Sequence, residues 1–114
     1  MTMKLVVVVL NNTGHLDDLL TAFLEIGVSG STVIDSVGMG RILSHDVPVF
    51  AGLSSVFPGS SPVNKTIFTV TPSALVDDIL TVIDDVCGTF EESGTGVVFV
   101  LPVDTVRGIG TGLR

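Results

Sequence analysis

Positive charge is scarce in this chain of 114 residues: five Lys and Arg stand against twelve Asp and Glu, a formal net charge of −7. Phosphate backbones and anionic membrane surfaces are held by clustered Lys and Arg, and none cluster here, so the sequence argues against a nucleic acid or an anionic lipid surface as partner. Charged residues make up only 15% of the chain while 46% is apolar. Little polar surface is left to cover every side of a monomer, which predicts self-association. One cysteine, Cys87, is present. It cannot form an internal disulfide, so the chain reads as the product of a reducing compartment and Cys87 as a buried, inert thiol. The N-terminal run "LVVVVL" has six apolar residues, against the roughly twenty that a membrane span needs. It is also short for a signal-peptide core, and the expectation is a cytoplasmic protein with no membrane insertion.

Catalytic and metal-binding patterns are missing too. His15 and His45 are the only histidines, and no His-x-x-His, Cys-x-x-Cys or Glu-x-x-His spacing surrounds them. The paired acids Asp17/Asp18, Asp77/Asp78, Asp84/Asp85 and Glu91/Glu92 point in different directions on a helix and read as solvated faces rather than acid and base pairs. No serine lies in a nucleophile turn, so nothing predicts an enzyme.

What is present is an ordered alternation of elements in a single domain spanning 1–114. Residues 3–10 are β-branched and continuously apolar, as in a strand buried on both faces. In "HLDDLLTAFLEIG", Leu16, Leu19, Leu20, Phe23 and Ile26 recur at helical spacing, with Thr13 as a possible cap and Gly27 as the stop. "GSTVIDSV" alternates like a strand and runs into the turn Gly38-Met39-Gly40, followed at once by Arg41. From Ile42 to Val63 the pattern dissolves into a Ser- and Pro-rich segment of a length that is more often functional than structural. The first half then repeats: "KTIFTV" reads as a strand, "TPSALVDDILTVIDDVCG" as a helix capped by Thr71 with Pro72 at its first position, and "GVVFVLPV" as a strand. The order predicts an α+β, ferredoxin-like βαββαβ fold, a four-stranded antiparallel sheet with two helices on one face. Strands apolar at both parities predict that the uncovered face is buried between subunits. The Gly-rich tail 104–114, ending "RGIGTGLR", has no helix after its glycines and reads as a frayed end.

The ordered set "LDDLLTAFLEIGVSGSTVIDSVGMGR", the long segment, "NKTIFTVTPSALVDDIL", "SGTGVVFVLPVDTV" and "TGLR" resembles the PII signal-transduction proteins over nearly the whole chain. The resemblance implies a homotrimer with clefts between subunits that bind adenine nucleotides, and a T-loop over 42–63 that docks on a target protein, an enzyme or a transporter. Thr32 matches the family's base-contacting strand, and Gly38, Met39, Gly40 and Arg41 match the entry to the T-loop. Gly94, Thr95 and Gly96 match the loop around the phosphates. The resemblance also allows the tail to fold over the cleft and bring Arg107 or Arg114 to the ligand.

The departures from the family pattern shape the ligand it implies. The phosphate-loop lysine becomes Val97, an acidic neighbour becomes Thr95, the two arginines after the last strand fall on Gly108 and Gly110, and a lysine before the third strand falls on Asn64 beside Lys65. Charge-assisted hydrogen bonds contribute about 1.5 to 3 kcal/mol each. Losing three removes roughly 4 to 9 kcal/mol, enough to end tight triphosphate binding. AMP, ADP or a cyclic nucleotide is therefore favoured over ATP, held on the backbone amides of Gly94 to Gly96. Tyrosine is absent, so the family's uridylylated tyrosine has no counterpart. Val47, Val49, Phe50 and Leu53 instead offer an apolar segment for a partner or for a neighbouring subunit. The alternative is an interaction subunit that keeps the trimeric fold without sensing a nucleotide.

Overall fold

The computed structural model of the chain describes residues 2–46, 63–91 and 94–109. Met3–Leu10 form β1, and alternation along it sends Val6, Val8 and Leu10, none of them solvent-accessible, to one face. A 3-10 turn over Thr13–His15 follows, capped by the side chain of Asn12, which accepts from the Gly14 amide at 3.0 Å. The expected cap, Thr13, lies inside that turn instead, because an Asn one residue earlier already satisfies the orphan amide. Leu16–Glu25 form α1. It ends at Gly27, whose φ of +104° permits the paired closing bonds Gly27 N–H to Leu24 O (3.1 Å) and Val28 N–H to Phe23 O (2.9 Å).

Thr32–Ser36 form β2, Asn64–Pro72 form β3 and Gly96–Val103 form β4. The sheet order is β2-β3-β1-β4 with every neighbouring pair antiparallel. Between β3 and β4 runs the helix Val76–Cys87, α3. Helices α1 and α3 lie on one face of the sheet, where Leu19, Phe23, Ile79 and Ile83 meet Val6, Val8, Leu10 and Ile67 in one core. Asp77, Asp78, Asp84 and Asp85 face water, as their spacing predicts.

Two further expectations change. Thr71 does not cap α3: β3 continues through Pro72, a 3-10 turn takes Ser73–Leu75, and the helix begins at Val76. The Ser73 amide bonds Thr2 O at 2.9 Å, which holds the extended chain against β1 for two residues beyond the expected strand. Likewise the irregular stretch expected from Ile42 begins as a helix, α2, over Met39–Asp46. Neither Gly38 nor Gly40 adopts a positive φ. Gly38 supplies the first helical acceptor, to Ile42 N–H at 3.2 Å, and no proline interrupts the chain before Pro48. Residues 47–62, with Val47, Val49, Phe50 and Leu53, lie outside the described residues. Among those described, no helix is long and apolar enough to cross a membrane.

Candidate functional site

The ends of β1 and β2 and the starts of β3 and β4 share one end of the sheet. A chain of polar side chains crosses it. Ser36 Oγ lies 2.7 Å from Thr66 Oγ1 and also bonds the side-chain oxygen of Asn64. Asn64, only 7% exposed, donates to Asn11 Oδ1 at 3.4 Å, and Asn11 donates from Nδ2 to Gly94 O at 3.0 Å. The Asn11 amide also bonds Thr95 O at 3.3 Å. Both carbonyls of the Gly94-Thr95 segment therefore turn inward to Asn11. Each peptide unit is planar and trans, so the amides of Thr95 and Gly96 turn the opposite way. Two successive outward N–H groups form an anion-binding concavity that needs no charged side chain.

At the other edge of the sheet, Gly38, Met39, Gly40 and Arg41 start α2 just past Ser36. The first-turn amides of a helix have no partner carbonyl within it, and this end also favours anions. Gly40 is buried and Arg41 half-buried. The two segments thus lie at the same end of the sheet but on opposite sides of it, three strand spacings or about 14 Å apart. Arg41 follows one edge strand, and Gly94, Thr95 and Gly96 lead into the other. Thr32 stands exposed at the far end of β2, beside a shallow hollow of about 200 Å³ between Gly30, Ser31, Phe68 and Val70.

Sequence reasoning passed over Asn11 and Ser36, and knew Asn64 only as the place of a missing lysine. The signal available was a pair of asparagines, Asn11 and Asn64, one just past and one at the beginning of two apolar strands. Lys65 does not substitute for that lysine. Alternation turns it to the helix-bearing face, where it forms an ion pair with Asp35. Arg107 is exposed, and Arg114 lies outside the described residues.

No other cluster competes. His15 contacts Asn12 through Nε2 at 3.3 Å, and among the described residues no three His, Cys, Asp or Glu converge. Cys87 is half-buried against the core. Burial, and next the nearby Asp84 carboxylate, push its pKa up, so the thiolate is scarce. Iodoacetamide labelling of the folded protein at pH 7.5 should therefore run at least about tenfold slower than in urea; equal rates, followed by mass spectrometry, would contradict a protected thiol.

A family model described as "Nitrogen regulatory protein P-II" matches residues 3–112. No curated protein matches the sequence. Among solved structures, Arabidopsis thaliana PII bound to citrate is similar at a TM-score of 0.64 and 22% identity, covering 90% of this chain and 78% of that one. A functionally unknown protein from Pediococcus pentosaceus ATCC 25745 is similar at a TM-score of 0.65 and 22% identity, covering 96% of this chain and 99% of that one. At that identity both likenesses concern the fold.

Proposed function

Since the chain belongs to the nitrogen regulatory protein P-II family, we propose that it is a homotrimeric regulator that senses a small anionic metabolite in clefts between subunits. Segment 42–63 passes the signal to a target enzyme or transporter. The observation that carries this reading is the loop Gly94-Thr95-Gly96, fixed by Asn11 so that two amides face outward. The start of α2 with Arg41 offers the complementary half of an anion site, and its place after the opposite edge strand suits a cleft between subunits. Thr32 would meet the base of a nucleotide. Val97, 49% exposed, stands where the family carries its phosphate lysine, so the favoured ligands are AMP, ADP or a cyclic nucleotide rather than ATP. The Arabidopsis relative is bound to citrate, a small anion, in keeping with a site that accepts anions other than triphosphates.

A ligand that favours one conformation of the 42–63 segment shifts its population by the difference in affinity, typically about 1 to 3 kcal/mol. A thermal-shift screen against AMP, ADP, ATP, cyclic nucleotides and 2-oxoglutarate tests the reading, because a ligand bound only by the folded state raises Tm. Arg41→Ala should weaken the stabilising ligand by about tenfold or more, the worth of one charge-assisted hydrogen bond, with the assembly unchanged. Undiminished binding in that variant would refute the assignment of Arg41. The same loop in which Val97 replaces a lysine supports a second reading, a trimeric interaction subunit without a ligand, and an empty screen would favour it.

A further inference from the structure

The polar row that crosses the end of the sheet has a direction. Gly94 O can only accept, so Asn11 donates to it from Nδ2 and turns Oδ1 the other way, where Asn64 Nδ2 donates at 3.4 Å. Asn64 Oδ1 is thereby left as the acceptor for the Ser36 hydroxyl. That hydroxyl has one proton, so the Thr66 hydroxyl, 2.7 Å away, must donate to Ser36. Every donor in the row points the same way, from Thr66 through Ser36, Asn64 and Asn11 to the backbone at Gly94.

The row stands in an apolar setting. Strand alternation puts Ser36, Asn64, Thr66 and Asn11 on the sheet face turned away from α1 and α3, the face of Val7, Val9 and Phe68. Asn64 is only 7% exposed, and an amide so deep costs free energy unless it is paired. Its pairing on both sides does more than satisfy it. Hydrogen bonds joined in a chain at low dielectric polarise one another, by about 10 to 30% per bond.

The row ends on the two peptide units that present the outward amides. Gly94 C=O shares its peptide with the Thr95 N–H, and Thr95 C=O, which accepts from the Asn11 backbone amide at 3.3 Å, shares its peptide with the Gly96 N–H. A carbonyl that accepts a hydrogen bond draws electron density from its own nitrogen, so the N–H on the far side becomes a stronger donor. Asn11 thus acts on both amides, and on that of Thr95 with the whole row behind it. Neither neighbouring position supplies charge: Val97 is apolar, and Lys65 faces the helices, paired with Asp35.

We propose that Asn11 and Asn64 are positioning residues of the anion site. Asn11 holds both carbonyls inward and Asn64 polarises Asn11, so that the Thr95 and Gly96 amides bind a small oxyanion without a cationic side chain. The proposal rests on the reading of Gly94-Thr95-Gly96 as an anion site. The longest link, 3.4 Å between the two asparagines, sets the order of importance: Asn11 first, then Asn64, then Ser36.

Two readouts on the intact protein separate the proposal from that reading. In ¹H–¹⁵N spectra without ligand, Asn11→Ala, Asn64→Ala and Ser36→Ala should move the Thr95 amide proton upfield in that descending order, since a less polarised N–H is more shielded. Gly96 should move less in each, because its peptide carbonyl is held by the Asn11 backbone. Ser36 lies on β2, two strands removed from β4, so within one chain a change there reaches Thr95 only through the row. Ser36→Ala, the mildest change, serves where a larger one does not fold. Thr69→Val, which removes the 2.6 Å contact with Ser31 on the helix-bearing face, should leave Thr95 in place. Inorganic phosphate titrated into the wild type should move Thr95 and Gly96 with saturation, and Asn64→Ala should weaken it about three- to tenfold, the worth of one hydrogen bond. A Thr95 amide unmoved by the three variants, or equal phosphate affinity in Asn64→Ala, would overturn the positioning role and leave the anion site standing. Phosphate that moves neither amide in the wild type would overturn the anion site itself, and with it the role given to the row.

Discussion

Gly96→Ala should destabilise the folded chain by about 2 to 4 kcal/mol. Two costs combine. The φ of Gly96 is +148°, a conformation that residues with a Cβ rarely adopt, and a Cβ there would lie 2.1 Å from the backbone oxygen of Val9. The ring of Phe90 closes the other side at 3.2 Å. Val9 is held in the middle of the sheet between β3 and β4, so relief requires the first residues of β4 to move off β1. That movement would take the Asn11–Gly94 bond with it and tilt the two outward amides. Gly88→Ala is the control: its φ of +83° is also unfavourable, but nothing lies within 4 Å of the added atom. Backbone strain alone should cost it about 1 kcal/mol. Urea unfolding of the two variants separates strain from collision, and equal losses would show that the contact with Val9 contributes nothing.

The need for glycine at 96 could not be read from "SGTGVV", because it arises from the approach of β1, a strand more than eighty residues earlier. Elements set by local periodicity were legible: the helical faces of Leu19 and Phe23, and of Ile79 and Ile83, fall inward as their spacing requires, and "GVVFVLPV" is β4 to the residue. The alternation of β2 was legible as well, down to Asp35 and Ser36 facing opposite ways. Boundaries that depend on tertiary partners were not. Thr71 and Pro72 carry a helix-start signature, yet the Thr2 carbonyl holds them extended. The Ser-rich composition after Ile42 concealed α2, since the glycines flanking Met39 suggested a turn. In the candidate site, the family resemblance pointed to the segments at 38–41 and 94–96, and only the sheet order revealed that they follow or precede opposite edge strands. Asn11, Asn64 and Ser36 connect them through side-chain hydrogen bonds over separations of up to 83 residues, which no local pattern encodes.

In the proposed homotrimer, Phe99→Glu is expected to convert an assembly of three chains of 11.8 kDa into single chains, seen by sedimentation, with its far-UV circular dichroism preserved. The sheet face away from α1 and α3 is apolar along β1 and β4 and at Ile34, Phe68 and Val70, with Thr32, Ser36, Asn64 and Thr66 as its polar members. Val7 sits at its centre, opposite Phe68 on one side and Phe99 on the other, while Ile34, Val97, Phe99 and Leu101 remain 40 to 49% exposed. Contiguous apolar surface of this kind is rare on a monomer. No helix of the described chain covers it, so a second copy of the same face is the natural cover. A carboxylate placed at Phe99 would lose its hydration at each contact without a cation to meet it, at a cost of several kcal/mol per subunit. Thr81→Glu, on the water-facing side of α3, should leave the mass unchanged. Retention of the wild-type mass by Phe99→Glu would place the subunit contact elsewhere. The same variant also tests the cleft. Arg41 and the amides of Thr95 and Gly96 would remain intact in each separated chain, one following and the other leading into opposite edge strands. In the proposed trimer, a ligand that stabilises the wild-type protein should therefore fail to stabilise Phe99→Glu, because the two halves of its site would meet only across the interface that the carboxylate breaks.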